Sequence, residues 1–152
     1  MNASYKIAVL IESLETPYHR RFLDEFKKLS PIYNMQLFFY TGFLLNAEDP
    51  YKRTQNIIYS KINNEGFDGI LILAGGIFRK ISNKKAIRFL QEFAELPLVT
   101  LNIRFNLYSS ITPNNYNGMY MLLEHLYHVH NHRTFGFITG PLQIDAAQQR
   151  FN

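Results

Sequence analysis

The chain contains no cysteine. That absence removes disulfides, thiolate metal sites and cysteine nucleophiles together, and it fits a reducing compartment. Long apolar runs are missing as well. Ile7 to Ile11 is too short for the core of a signal peptide and is closed by Glu12, and no later run approaches the roughly 18 apolar residues of a membrane helix. A cytoplasmic protein without membrane association is expected. Charge of one sign is also scarce: sixteen Lys and Arg against twelve Asp and Glu leave +4, an excess too small and too scattered to point to nucleic acid. Cofactor motifs are absent, and none is expected to be bound.

What remains is ordinary globular material. The 152 residues are 47% apolar, 18% charged and 15% aromatic, enough to build one core and bury roughly 70% of the surface exposed on unfolding. Fourteen asparagines are dispersed through turns and polar faces, and no internal repeat occurs.

Along the chain, short β-branched runs alternate with helical spacing. Tyr5 to Ile11 reads as a strand, and Phe22, Phe26 and Leu29 mark a helix after Pro17. Met35 to Tyr40 is a second strand, and Ile57, Ile58 and Ile62 mark a helix ending near Gly66. Gly69 to Ala74 is the third strand, followed by Gly75-Gly76, a helix on Ile87, Leu90 and Phe93, and the strand Leu98 to Leu101. This rhythm of strand, helix and strand is that of βαβ units, so the fold class is α/β with a doubly wound parallel sheet. Beyond it, Asn102 to Asn117 is polar with one extended stretch at Ser109 to Thr112. Gly118 to His128 forms an amphipathic helix on Met119, Leu122, Leu123 and Leu126, Arg133 to Thr139 is a further strand, and a helix opens at Asp145. Ending inside that helix is expected of a piece of something longer.

Candidate chemistry is sparse. His125 and His128 share a helix face and are followed by His130 and His132, yet no carboxylate or thiolate completes a metal set nearby, and imidazoles at a helix C-terminus suit its dipole. No metal site is expected. Gly75-Gly76 lacks the further glycine, the lysine or the distant acid of a nucleotide loop, and reads as a turn at a strand end. No Ser stands in a nucleophile elbow, so no enzyme is expected. Position carries more: in open α/β sheets, ligands lie beyond the carboxyl ends of the strands. Those ends carry Glu12, Ser13, Glu15 and Tyr18, then Gly75, Gly76 and Phe78, then Asn102 and Arg104. Carboxylates, amides, a guanidinium and an aromatic ring suit a sugar or similar small polar molecule.

The segments LPLVTLN, ITPNNYNGMYMLLEHLYHVHNHRTFGFITGP and AAQQRFN resemble the effector-binding core of the lac and galactose repressor family. KIAVLIESLETPYHRRFLDEF and GFDGILILAGG resemble the same family's first and third strands. VHNHRTFGFITGP and NIIYSKINNEGFDGILILAGG resemble the version that forms the N-terminal cytoplasmic sensor of bacterial signalling proteins. The resemblance implies a two-lobed periplasmic-binding-protein-like fold: residues 1–105 would be the first lobe, 106–117 the inter-lobe crossing, and 118–152 the start of the second. It places ligand contacts at Ser13, Glu15, Tyr18, Asn102 and Arg150, and the crossing motif at Asn114, Asn115 and Gly118. Asn102 and Asn114 stand where the family commonly has aspartates, so amide hydrogen bonding replaces an anionic acceptor.

The expectation is a ligand-sensing domain of a regulatory or signal-transduction protein, without direct DNA contact and with a homodimer as a possible assembly. The alternative is a dimerisation or docking module using partly exposed Phe22, Phe26, Tyr33, Phe89 and Phe93.

Overall fold

A computed structural model of the chain describes residues 4–152. These residues form two compact units, the first ending at Thr112 and the second spanning Pro113–Asn152.

The first unit is a five-stranded sheet in the order β2-β1-β3-β4-β5. Its strands are β1 (Tyr5–Ile11), β2 (Met35–Thr41), β3 (Gly69–Ile72), β4 (Leu98–Leu101) and β5 (Ser109–Ile111). Every pairing is parallel, as the βαβ rhythm predicts for β1 to β4, and β5 adds to the edge without an intervening helix. The inner strand β1 alternates between two cores, as a strand covered on both faces must. Ala8 and Leu10 join Ile70, Ile72, Leu90 and Phe93 on one face, while Val9 and Ile11 pack with Leu101, Phe22 and Phe26 on the other.

Helix α1 (Pro17–Ile32) lies on the second of these faces and starts where the sequence says it should. Thr16 caps it by accepting from the His19 N–H, and Pro17 occupies the first turn, where its missing N–H costs nothing. The next helical stretch departs from expectation. Instead of one α-helix, α2 (Pro50–Gln55), capped by Asp49, runs into a 3₁₀ helix at Asn56–Asn64. Three residues per turn place i, i+3 and i+6 in one line, and Asn56, Tyr59 and Ile62 form that inward stripe. Tyr59 and Ile62 are buried, and Asn56 accepts from the Phe43 N–H at 2.7 Å.

The third strand stops at Ile72 because Ala74 already begins α3 (Ala74–Ile77), a single helical turn that contains Gly75 and Gly76. Helix α4 (Asn83–Gln91), capped by Ser82, buries Ala86 and Leu90. The extended stretch after β4 is the fifth strand of the same sheet, with Thr100 opposite Ser110 and their hydroxyl oxygens 2.8 Å apart.

The second unit holds α5 (Asn115–His128) and α6 (Asp145–Phe151). Helix α5 begins three residues before the expected Gly118, because Asn114 accepts from the Asn117 N–H at 3.0 Å and acts as its cap. Asn115 and Gly118 thereby become first-turn residues. The expected strand Arg133 to Thr139 belongs to no β ladder among the described residues, since a parallel strand exists only beside a hydrogen-bonding neighbour. Phe135, Phe137 and Ile138 within it are exposed. Among the described residues no helix is long and apolar enough to cross a membrane.

Of the aromatic residues of the docking alternative, Phe22, Phe26 and Phe89 are partly buried and only Phe93 departs from the expected partial exposure. Phe93 is buried at 1% exposure and Phe22, Phe26 and Phe89 pack against the two cores, leaving Tyr33 as the exposed member.

Candidate functional site

The site is built at the carboxyl edge of the first unit's sheet, where β1, β3 and β4 all end. Being parallel, the three strands deliver their next residues to one edge: Glu12 and Ser13 from β1, Ala74 to Gly76 after β3, and Asn102 after β4.

Asn102 is the first fixed point. It adopts the left-handed backbone conformation at φ 69°, which asparagine tolerates better than most residues. Its main-chain N–H donates to the Ile111 carbonyl at 2.9 Å, so the turn is locked to β5. Its side-chain Nδ2 donates to the Tyr18 hydroxyl at 2.9 Å, joining the end of β4 to the first turn of α1. The Tyr18 ring is about half exposed and packs edge-on to His19 at 5.4 Å and against Phe22 at 5.2 Å. An aromatic face held by an amide is therefore presented at the strand ends.

Glu12 and His19 form the second fixed point. His19 is buried; its Nε2 lies 3.1 Å from Glu12 Oε1 and its Nδ1 lies 2.9 Å from Thr16 Oγ1. The Thr16 oxygen already accepts from the His19 main-chain N–H, so its own proton is free to go to Nδ1. In that arrangement the His19 Nε2–H donates to Glu12 Oε1. Glu12 Oε2 is buried and takes no hydrogen bond among the described residues, which leaves the carboxylate with spare acceptor capacity.

The two glycines explain how both polar groups fit. A Cβ on Gly76 would fall inside the Glu12 carboxylate, and one on Gly75 would lie 2.9 Å from Asn102 Cβ. Both are in a helical turn and neither has a positive φ. They serve as floor for the Glu12 and Asn102 side chains rather than as the turn the sequence reading expected.

Of the expected ligand residues, the structure brings Tyr18, Gly75 and Asn102 together. Ser13 lies on the adjoining loop, where its hydroxyl accepts from the Glu15 N–H at 3.1 Å, and Glu15 is exposed beside it. Arg104 is exposed on the connection between β4 and β5. Arg150 lies in the second unit, on the exposed last turn of α6. His19 was missed by sequence reasoning. Its signal was the spacing Thr16-x-x-His19 at a helix start, three residues on from a capping hydroxyl. Elsewhere in the first unit an open groove lies between Leu45, Ile81 and Phe89 and includes none of these residues.

No protein-family model matches the chain, and no curated protein matches it. Solved structures do. The lac repressor dimer bound to operator and the anti-inducer ONPF matches with a TM-score of 0.66 at 16% identity, over 99% of this chain and 49% of that one. A LacI family transcriptional regulator from Mycobacterium smegmatis matches with a TM-score of 0.64 at 20% identity, over 95% and 48%. A periplasmic binding protein/LacI transcriptional regulator from Alkaliphilus metalliredigens QYMF, complexed with D-xylulofuranose, matches with a TM-score of 0.62 at 18% identity, over 97% and 50%. The chain thus has the α/β fold of one lobe of a periplasmic-binding-protein-like protein, and it spans about half the length of the solved chains it matches.

Proposed function

We propose that this chain is part of the effector-sensing region of a bacterial regulatory protein, and that it binds a small polar, sugar-like molecule at the carboxyl edge of its first sheet. The observation that carries the reading is the Asn102 to Tyr18 hydrogen bond. It joins an amide and an aromatic face at the place where open α/β sheets hold their ligands. Tyr18 supplies a surface for the apolar face of a pyranose or furanose ring, and Asn102 and Ser13 supply donors and acceptors for its hydroxyls. The similar Alkaliphilus protein is complexed with D-xylulofuranose, a ligand of this chemical class, and this supports the choice. Binding would bias an attached output only if the ligand had different affinity for the output's on and off states.

The test is a thermal-shift and calorimetric screen of monosaccharides, sugar phosphates, nucleosides and amino acids. One sugar or sugar phosphate should raise the melting temperature. Asn102→Ala and Tyr18→Ala should each weaken that compound by about tenfold or more, the worth of a lost hydrogen bond or ring contact in a site. A flat response across the whole panel overturns the reading.

A further inference from the structure

The second unit carries a cluster that the sensing function does not use. His125 lies in the last turn of α5 and His130 in the turn that follows, and their Nε2 atoms are 3.1 Å apart. The rings cross edge to face with centroids 4.8 Å apart, and the His132 ring stacks beyond His130 at 6.0 Å. The pair is not the one that helical spacing selects. Residues three apart share a face, which would join His125 to His128; the chain instead folds back after Val129 and delivers His130.

That fold-back is held in several ways. The Val129 N–H donates to the His125 carbonyl at 2.9 Å and the His132 N–H to the Leu126 carbonyl at 3.1 Å. Asn131 takes the left-handed conformation at φ 54°. The Arg133 guanidinium lies 4.1 Å from the Tyr127 ring centroid and donates to the Tyr127 and His132 carbonyls. Two exposed imidazoles have no need of each other in water, because solvent serves each nitrogen equally well. The closed turn holds the two Nε2 atoms at a fixed hydrogen-bonding separation, one ring N–H donating to the other ring's lone pair, and a metal ion would take the place of that proton.

We infer that His125 and His130 form a two-imidazole chelate for a divalent late first-row transition ion. Metal to nitrogen distances of about 2.0 to 2.1 Å, with the angles of octahedral to tetrahedral coordination, need nitrogens about 2.9 to 3.4 Å apart. The observed separation falls within that span. Both donors are imidazoles, which suit copper, nickel and zinc and not calcium or magnesium, and the C-terminal end of α5 favours positive charge. No group of three or more His, Asp or Glu side chains is placed to hold an ion among the described residues. The ion would accordingly keep water or an external donor in its other positions, as an open and exchangeable site.

The test is a titration of the 152-residue chain with Ni²⁺ by calorimetry, and with Cu²⁺ by electron paramagnetic resonance. One equivalent should bind saturably, and the copper spectrum should carry nitrogen coupling. His125→Gln and His130→Gln should each weaken binding by about tenfold or more, while His128→Gln leaves it unchanged. These histidines are exposed, and circular dichroism of each variant checks that α5 is retained. Absence of saturable binding overturns the inference. So does binding that survives either glutamine substitution or that depends equally on His128.

Discussion

At Gly76 the missing Cβ is what allows the Glu12 carboxylate to lean over the end of β3 and reach His19. The contact is to the carboxylate end of Glu12, a partly buried side chain that can make room only by turning away and giving up His19. Gly76→Ala should therefore destabilise the protein by about 1 to 3 kcal/mol, the usual cost of overpacking. In a Glu12→Ser background the same substitution should cost much less, because the clashing group is gone. Urea unfolding of the four proteins in that cycle measures the coupling, and a cost independent of residue 12 would count against the packing argument. The sequence showed two glycines after a buried strand, a pattern equally suited to a turn, a phosphate loop or a close approach. Only the positions of Glu12 and Asn102 across the sheet decide among them. Tyr18 and Asn102 were legible because both follow parallel strands or their helices at the sheet edge. Their direct hydrogen bond was not, since they stand far apart in the chain.

Among the elements, the 3₁₀ helix at Asn56–Asn64 is fastened to the sheet through one ring. The Tyr59 hydroxyl donates to the Ile11 carbonyl at 3.2 Å, and the ring packs edge-on to Phe89 at 5.8 Å. Burial pushes its phenol well above the ordinary tyrosine value, with the Glu12 charge adding in the same direction. Tyr59→Phe should cost about 1 kcal/mol at neutral pH, the net worth of a buried hydrogen bond. The pH dependence follows from the same burial. Above about pH 10 the unfolded chain loses its phenolic proton while the folded one keeps it, so folded Tyr59 binds more protons and stability falls as pH rises. The Tyr59 contribution is fully present below that pH and is lost above it, so the difference between wild type and Tyr59→Phe should narrow from pH 9 to 11. Urea midpoints across that range check this. Long amphipathic helices such as α1 and α4 could be read from periodicity. A single turn such as α3, or a switch from 3.6 to 3 residues per turn, spans too few residues to establish a period. Arg133 to Thr139 has the composition of a strand, but strand formation depends on a neighbour and not on the segment alone.

At the scale of the molecule, the parallel order of the sheet followed from the recurrence of strands separated by helices, because crossovers of that length return the next strand in the same direction. Its consequence is that all five strands and both cores lie within the first unit. Residues 1–112 alone should therefore unfold in one cooperative transition. Urea unfolding followed by tyrosine fluorescence and by far-ultraviolet circular dichroism should give coincident curves. Separate transitions would mean that the first unit does not unfold as one cooperative whole.

The place of β1 in that sheet also governs how the fold is acquired. Ile7 pairs with Leu37 on one side and with Gly69 on the other, so the first strand made is the one that waits longest for its partners. No hairpin can start this sheet, and each pairing among β1 to β4 must close a loop containing a helix before any ladder energy returns, while β5 joins β4 through a short helix-free connection. A nascent chain emerging from the ribosome carries the apolar β1 with one edge unpaired until β3 has followed it out. During that interval helix α1, capped at Thr16 and able to lay Phe22 and Phe26 against Val9 and Ile11, is the nearest cover available to it.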